Sequence, residues 1–281
     1  MADPEDKTAV DLAGVPETLL WTLYHRAFEA RRDDAVLHDP MAVELVDAID
    51  YPFERLYGAE VGGRAQWQAL RARTFDEQIR RFLLAHRDGT VVALGEGLET
   101  QFWRVDNGRV RWLTVDLPET VRLRERLLPT GPRQRVFAGA AEDLRWTDAV
   151  DGERAVLITA QGLLMYLRPP VVRDLIAGCA ERFPGGALVF DAVPRWFSAR
   201  TVAGTMRTGG GYQAPPMPWA MDADQRDLIR TAHPNIVEVR DLPMPRGRGA
   251  VFGALLPALA HVPVLGGKRL SVTLASFGAT L

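Results

Sequence analysis

Two glycines, Gly95 and Gly97, close the apolar run Val91-Val92-Ala93-Leu94, and a carboxylate, Asp116 of Val115-Asp116-Leu117-Pro118, follows about 20 residues on. Glycines at a strand's carboxyl end let the backbone turn tightly and approach a ligand with no Cβ in the way. A carboxylate at the next strand end can accept hydrogen bonds from both ribose hydroxyls. Together they read as a nucleotide-cofactor site. Position 100 is Thr100, so the third glycine of the dinucleotide fingerprint is missing. A cofactor with no pyrophosphate, such as S-adenosylmethionine, does not need it. The glycine pair alone is also compatible with a plain strand, turn and proline-started helix.

Further candidates stand at the ends of later apolar runs: Ala141-Glu142-Asp143-Leu144, the stretch Gln161 to Tyr166, and Asp191. Each has a structural explanation too, Asp143 and Asp191 as caps and Tyr166 as a core aromatic. The five histidines, His25, His38, His86, His233 and His261, form no recognisable pair. Neither G-x-S-x-G nor H-E-x-x-H occurs, so serine hydrolysis and zinc proteolysis have no motif behind them. Cys179 is the single cysteine, which excludes an internal disulfide and a thiolate metal cluster; no metal is expected.

The elements that must position these residues fall into two styles. Over 1–89 the spacing predicts helices: Leu19, Leu20, Leu23, Tyr24 and Phe28 on the first, a short second from Pro40, and a third from about Gly63 toward Gly89 with Trp67, Leu70, Phe75, Ile79, Phe82 and Leu83 as its stripe. From Thr90 strands and helices alternate. Strands are predicted at 90–94, 111–115, 134–137, 155–160 and 187–191, with helices at Glu119–Leu127 and Val171–Phe183, and this implies a parallel sheet covered on both faces. Strands near 235–240 and 270–276, flanking a helix around Phe252–Leu259, close it. The core is thus 90–194 and 234–281. Between them, 195–233 carries Gly209-Gly210-Gly211-Tyr212 and reads as an inserted lid, with Trp196, Phe197, Tyr212, Met217, Trp219 and Met221 as a possible cover or a satellite apolar cluster.

A formal net charge of −2 gives no global field for nucleic acid or a membrane surface, and the expected partner is a small molecule. Almost every basic residue is arginine, Lys7 and Lys268 being the only lysines. No apolar run approaches the roughly 20 residues that span a bilayer. The acidic start Met1-Ala2-Asp3-Pro4-Glu5-Asp6 lacks a secretory pattern, and a cytoplasmic location is expected.

Several ordered motifs together resemble the leucine carboxyl methyltransferase family, and within it the bacterial polyketide O-methyltransferase branch. They are Pro16-Glu17-Thr18-Leu19-Leu20 with Arg26-Ala27 and Asp39-Pro40, Arg71-Ala72-Arg73-Thr74-Phe75-Asp76-Glu77-Gln78, Leu94 to Thr100, Val115 to Pro118, and Gln161 to Leu167. The resemblance implies an α/β fold of the class I S-adenosylmethionine-dependent type, a Rossmann-like, mostly parallel seven-stranded sheet with N-terminal helices and an inserted lid. It implies an O-methyltransferase acting on carboxylates. By position, Arg71 matches the arginine that pairs with the cofactor's carboxylate, with Arg73 in reserve. Gly95 and Gly97 match the approach glycines, Asp116 with Leu117 the ribose motif, Asp143 with Leu144 the adenine-site pair, and Tyr166 a tyrosine near methyl transfer, the one catalytic candidate. Three positions depart from the family pattern: Glu99 stands where aspartate is usual, Gln101 for a common arginine, and Gln161 for a common glutamate. Glu99 keeps the charge, and the carbonyl of Gln161 can still accept from an ammonium. A phenol acceptor, a dehydrogenase and a catalytically silent cofactor binder are the competing readings; the missing glycine and the helical prefix count against the dehydrogenase.

Overall fold

The computed structural model describes residues 7–59, 61–152, 154–207, 210–259 and 268–278. His261 and Gly209 lie outside them. A two-residue parallel pair, β1 (Thr8–Ala9) and β2 (Ile49–Asp50), ties the start of the chain to the first helices. These are α1 (Thr18–Ala30), α2 (Pro40–Ala48), α3 (Phe53–Tyr57) and α4 (Gly62–Ala85). The sequence pattern marks three of the four; α3 is too short for a period to register. Asp39 caps α2 by accepting from Ala42 N at 3.2 Å, and Pro40 occupies its first turn, where a missing N–H costs nothing.

The sheet has seven strands: β3 (Thr90–Leu94), β4 (Arg111–Asp116), β5 (Gln134–Ala138), β6 (Val156–Ala160), β7 (Ala187–Ala192), β8 (Ile236–Leu242) and β9 (Ser271–Phe277). Their order is β5-β4-β3-β6-β7-β9-β8, parallel except for β9, which runs antiparallel to both neighbours. Burial follows that order. Every residue of β3 and of β6 is buried, as their unbroken apolar runs require, whereas the edge strands β5 and β8 are largely half-exposed and carry charged residues.

Helices α5 (Gln101–Val105), α6 (Pro118–Leu127) and α7 (Pro169–Arg182) connect the parallel strands. On one face α4 lays Phe75, Ile79 and Leu83, spaced by one turn, against Val91, Trp112 and Leu157. On the other, α7 buries Leu175, Ile176 and Cys179 with Ile158 and Phe190. Because β3 pairs with β4 on one side and β6 on the other, the crossovers diverge between β3 and β6. The crevice at a switch of this kind, outside the carboxyl ends of the strands, is where α/β sheets take ligands. Residues 94–97 and 161–163 border it.

After β7 the chain forms α8 (Arg195–Val202) and α9 (Arg226–Arg230), neither expected from the sequence. Ile229 of α9 is buried in the main core, and so are Trp219 and Met221, with Trp219 edge-on to Phe190 at 6.0 Å. The 195–233 segment therefore supplies core as well as cover. The helix expected around Phe252 begins as a π turn at Val251–Leu255 and continues as α10 (Leu256–Leu259). No helix among the described residues is long and apolar enough to cross a membrane.

Candidate active site

A cavity of about 800 Å³ opens at the switch point, between the strand ends and helices α1 and α4. Its floor is the turn after β3. Gly95 (φ +60°) and Gly97 (φ +57°) both hold left-handed backbone, and a Cβ on Gly95 would stand 2.9 Å from Leu163 Cδ1. Glycine is favoured there on both counts.

Asp116, at the end of β4, anchors that turn. Its Oδ2 accepts from Gly97 N at 2.7 Å and its Oδ1 from Leu117 N at 2.8 Å. Burial pushes its carboxyl up from the ordinary range, and the two backbone N–H groups, Arg124 and Thr120 pull it back. Leu117, exposed, lies on the same wall. Glu96, between the glycines, turns away from the cavity's centre toward Trp112 Nε1 (3.2 Å), Thr114 Oγ1 and Arg124 (3.2 Å).

Glu99 touches the wall but spends its charge on protein. Its oxygens meet Arg26 at 3.0 Å and Arg104 at 2.7 Å. Arg26 and Arg104 also hold Asp39, at 3.1 and 2.8 Å, and Arg104 holds Asp76 at 2.8 Å. Burial would raise the Glu99 carboxyl; the two guanidiniums outweigh it and bring it down to about 2. Gln101 joins this buried network by donating Nε2 to Asp76 at 2.9 Å, and Arg26 reaches the carbonyl of Leu98 at 2.8 Å, pinning α1 to the floor. Gln161, after β6, donates Nε2 to Glu99 at 2.9 Å, and its Oε1 is buried with no hydrogen-bond partner.

On the opposite wall Arg71 of α4 donates NH1 to Asp191 Oδ2 at 2.7 Å, and Asp191 Oδ1 accepts from Gly162 N at 2.6 Å. Arg71 Nε, also buried, has no partner. Sequence pattern marks Asp191 as a strand-end residue but does not pair it with Arg71, 120 positions away. Arg73 points elsewhere, to a half-exposed pair with Glu77 at 3.0 Å. Tyr166 lines the cavity next to these groups; burial pushes its phenol up to about 12, against a hydrogen bond to Thr18 and the charge of Arg71.

The structure thus brings Arg71, Gly95, Gly97, Glu99, Asp116, Leu117, Gln161 and Tyr166 onto one cavity. Asp143 and Leu144 stand off it. Asp143 is exposed and clamped by Arg145, with Nε–Oδ1 at 2.7 Å, while Leu144, in left-handed backbone at φ +57°, packs toward Gly178 of α7. The residues just before them, Gly139 to Glu142, supply the wall instead. The expected cover divides as well. Phe197, Tyr212 and Met217 line the cavity, but Trp196 is exposed and donates to Lys268 O at 2.9 Å, and Trp219 and Met221 belong to the core. Met244, Phe252 and Leu256 complete the apolar side. Their segment is latched to the N-terminal helices by Arg248, which pairs with Glu29 and with Asp34 (3.3 Å). That latch bridges more than 200 positions and leaves no local signal. Among the described residues no histidine lines the cavity; His25 is buried, hydrogen-bonded through Nδ1 to Trp21 O at 2.6 Å and lowered by burial to about 4.

The fold matches the solved CurJ carbon methyltransferase with a TM-score of 0.50 at 13% identity, over 94% of this chain and 68% of that one. This is the α/β class I methyltransferase architecture. The tetracenomycin polyketide synthesis O-methyltransferase TcmP of Streptomyces glaucescens is 38% identical over 188 residues, 66% of this chain and 69% of that protein. A putative S-adenosyl-L-methionine-dependent methyltransferase of Saccharopolyspora erythraea is 32% identical over 59% of this chain and 63% of that protein. The leucine carboxyl methyltransferase family model matches residues 20–180, a span that holds the glycine turn, Asp116, Arg71, Gln161 and Tyr166, and the chain belongs to that family.

Proposed function

We propose that this chain is an S-adenosylmethionine-dependent O-methyltransferase that methyl-esterifies a carboxyl group on an apolar, polyketide-like small molecule. The observation that carries the reading is a pair of buried, unpartnered polar atoms of opposite sense on one cavity, Gln161 Oε1 and Arg71 Nε. An orphaned buried acceptor and an orphaned buried donor are costly unless a ligand completes them. The cofactor's ammonium fits the first and its carboxylate the second, so the residues present suit the group. Asp116 at the ribose and the wall of Gly139 to Glu142 at the base extend the same line.

When bound, that group supplies a methyl electrophile on a sulfonium, and transfer needs the acceptor oxygen held in line about 3–3.5 Å away. The chain's own contribution is placement. Asp191 fixes the Arg71 fork, and Glu99 fixes the amide of Gln161. Tyr166, raised to about 12, stays protonated at neutral pH and can hold an acceptor oxygen by hydrogen bonding without acting as a base. A carboxylate with a pKa of about 4 is already ionised there, whereas a phenol near 10 calls for a base. The described wall offers no histidine for that task. The name of the TcmP relative supports the oxygen acceptor and the polyketide class.

The test is incubation with labelled cofactor and matched panels of aromatic acids and phenols, read by mass spectrometry and mild base. A base-labile mark on the acids is expected. A base-stable ether on the phenols overturns the carboxyl assignment, and no transfer to any compound overturns the enzymatic one.

A further inference from the structure

Gln68 sits on α4 one turn before Arg71, on the cavity wall and only 6% exposed, yet its Oε1 meets no hydrogen-bond donor. Trp21, on the packed helix α1, lines the same cavity, and its indole Nε1–H is buried without an acceptor. Neither atom is used by the reading above, where the cofactor's two charged ends go to Gln161 and Arg71. They are a second orphaned pair.

Their senses restrict what can complete them. A carboxylate accepts only and would satisfy Trp21 alone; an ammonium donates only and would satisfy Gln68 alone. A methyl or methylene would satisfy neither. A hydroxyl both donates and accepts, and so is of the right chemical sense for either atom, giving its hydrogen to the Gln68 carbonyl or its oxygen to the Trp21 N–H. Apart from Arg64, one turn earlier on α4, the cavity also carries apolar, deformable side chains, among them Trp67, Met165, Phe197, Met217 and Phe252. Surfaces of that kind tolerate many shapes, which leaves polar atoms to discriminate.

We propose that Gln68 Oε1, together with Trp21 Nε1, reads a hydroxyl group on the acceptor, so that the chain prefers a hydroxylated apolar acid to its deoxy analogue. The inference rests on the reading that an acceptor occupies this cavity, but it concerns binding and does not require turnover. A site that hydrogen-bonds a substrate hydroxyl rejects the analogue lacking it, because its own buried groups are then left unpaired.

The test uses the full chain with S-adenosylhomocysteine present and measures, by calorimetry, binding of 2-naphthoic acid and of its 1-, 3- and 6-hydroxy derivatives. At least one hydroxynaphthoate should bind about tenfold or more tightly than the parent acid. Gln68→Met, which keeps the volume and removes the carbonyl, should bring that ratio close to one while S-adenosylhomocysteine affinity stays unchanged. Trp21→Phe removes the N–H together with part of the ring's bulk, which both ligands lose alike, and should lower the same ratio; it carries the test if Gln68→Met does not fold. No preference in the unmodified chain, or a preference that survives both substitutions, overturns the proposal. So does loss of S-adenosylhomocysteine affinity in a folded Gln68→Met chain, which would assign the carbonyl to the cofactor. Discrimination in binding without methyl transfer would sink the enzymatic reading and leave this one standing; transfer without discrimination does the reverse.

Discussion

The amide of Gln161 donates to Glu99 at 2.9 Å, and Glu99 is itself gripped by Arg26 and Arg104, so the Gln161 carbonyl has one direction left to face. The two departures from the family pattern at these positions are thus in contact. Glutamate reaches one methylene further than aspartate, far enough to touch residue 161. A glutamate at 161 would there set two carboxylates together, whereas glutamine supplies a donor to one side and an acceptor to the other.

Gln161→Leu removes that acceptor and should weaken S-adenosylhomocysteine binding by about ten- to a hundredfold, the loss of one hydrogen bond to a charged group. Calorimetry reads it directly. Unchanged affinity would mean that the ammonium is held elsewhere.

Asp116→Ala should cost a similar factor, about ten- to a hundredfold in S-adenosylhomocysteine affinity, through the ribose hydroxyls. Asp116 also accepts from Gly97 N and Leu117 N, so part of any loss comes from a loosened floor. Adenosine and its 2′,3′-dideoxy analogue separate the two effects. The unmodified chain should prefer adenosine, and Asp116→Ala should no longer distinguish them.

Arg71→Lys should be damaging because a point charge cannot hold Asp191 with one arm and offer the planar fork to a carboxylate with the other. Arg73→Lys should leave cofactor affinity near that of the unmodified chain, since Arg73 serves a half-exposed pair with Glu77. The opposite ranking, measured by calorimetry on both variants, would move the role to Arg73.

How far the sequence foretells this arrangement depends on how local each cause is. The run Val91 to Leu94 reads as a buried strand and is one, and all seven strands of the sheet fall within two residues of their expected ends, because apolar runs and turn residues act over a few positions. Gly95, Gly97 and Asp116 are legible for the same reason. The Arg71–Asp191 pair, the Arg248–Glu29 latch and the network joining Asp39 to Arg104 depend on chain-distant partners, and nothing in the flanking residues announces them. Asp143 shows the converse. Its motif points to the cavity, but Arg145 two residues on offers a nearer partner, and the side chain turns outward to take it. Trp219 likewise reads, with its aromatic and methionine neighbours, as cover or as a satellite cluster, yet it packs on Phe190 in the main core because the segment doubles back onto the sheet.

The network beneath the floor yields a prediction about stability. Asp39, Asp76 and Glu99 share two buried guanidiniums, Arg26 and Arg104, with Arg80 standing off at 3.9 Å from Asp76. Carboxylates are therefore in excess. Arg104→Met leaves Asp76 with only the Arg80 guanidinium at 3.9 Å and leaves Asp39 and Glu99 to share Arg26, and should destabilise the fold by about 3–5 kcal/mol, as removal of one partner from a buried ion pair does. Glu99→Gln removes the surplus charge and should cost less. Because Arg26 and Arg104 hold the Glu99 carboxyl near 2, below its ordinary 4.5, the unfolded chain takes up this proton first as pH falls. The stability Glu99 contributes is then fully present above pH 4.5 and is lost progressively toward pH 2. Urea unfolding of the unmodified chain and of Glu99→Gln at pH 7, 4 and 3 should show the gap between them shrinking only in the last two. A gap that stays constant, or widens on acidification, would mean that Glu99 is not held as a carboxylate by these arginines.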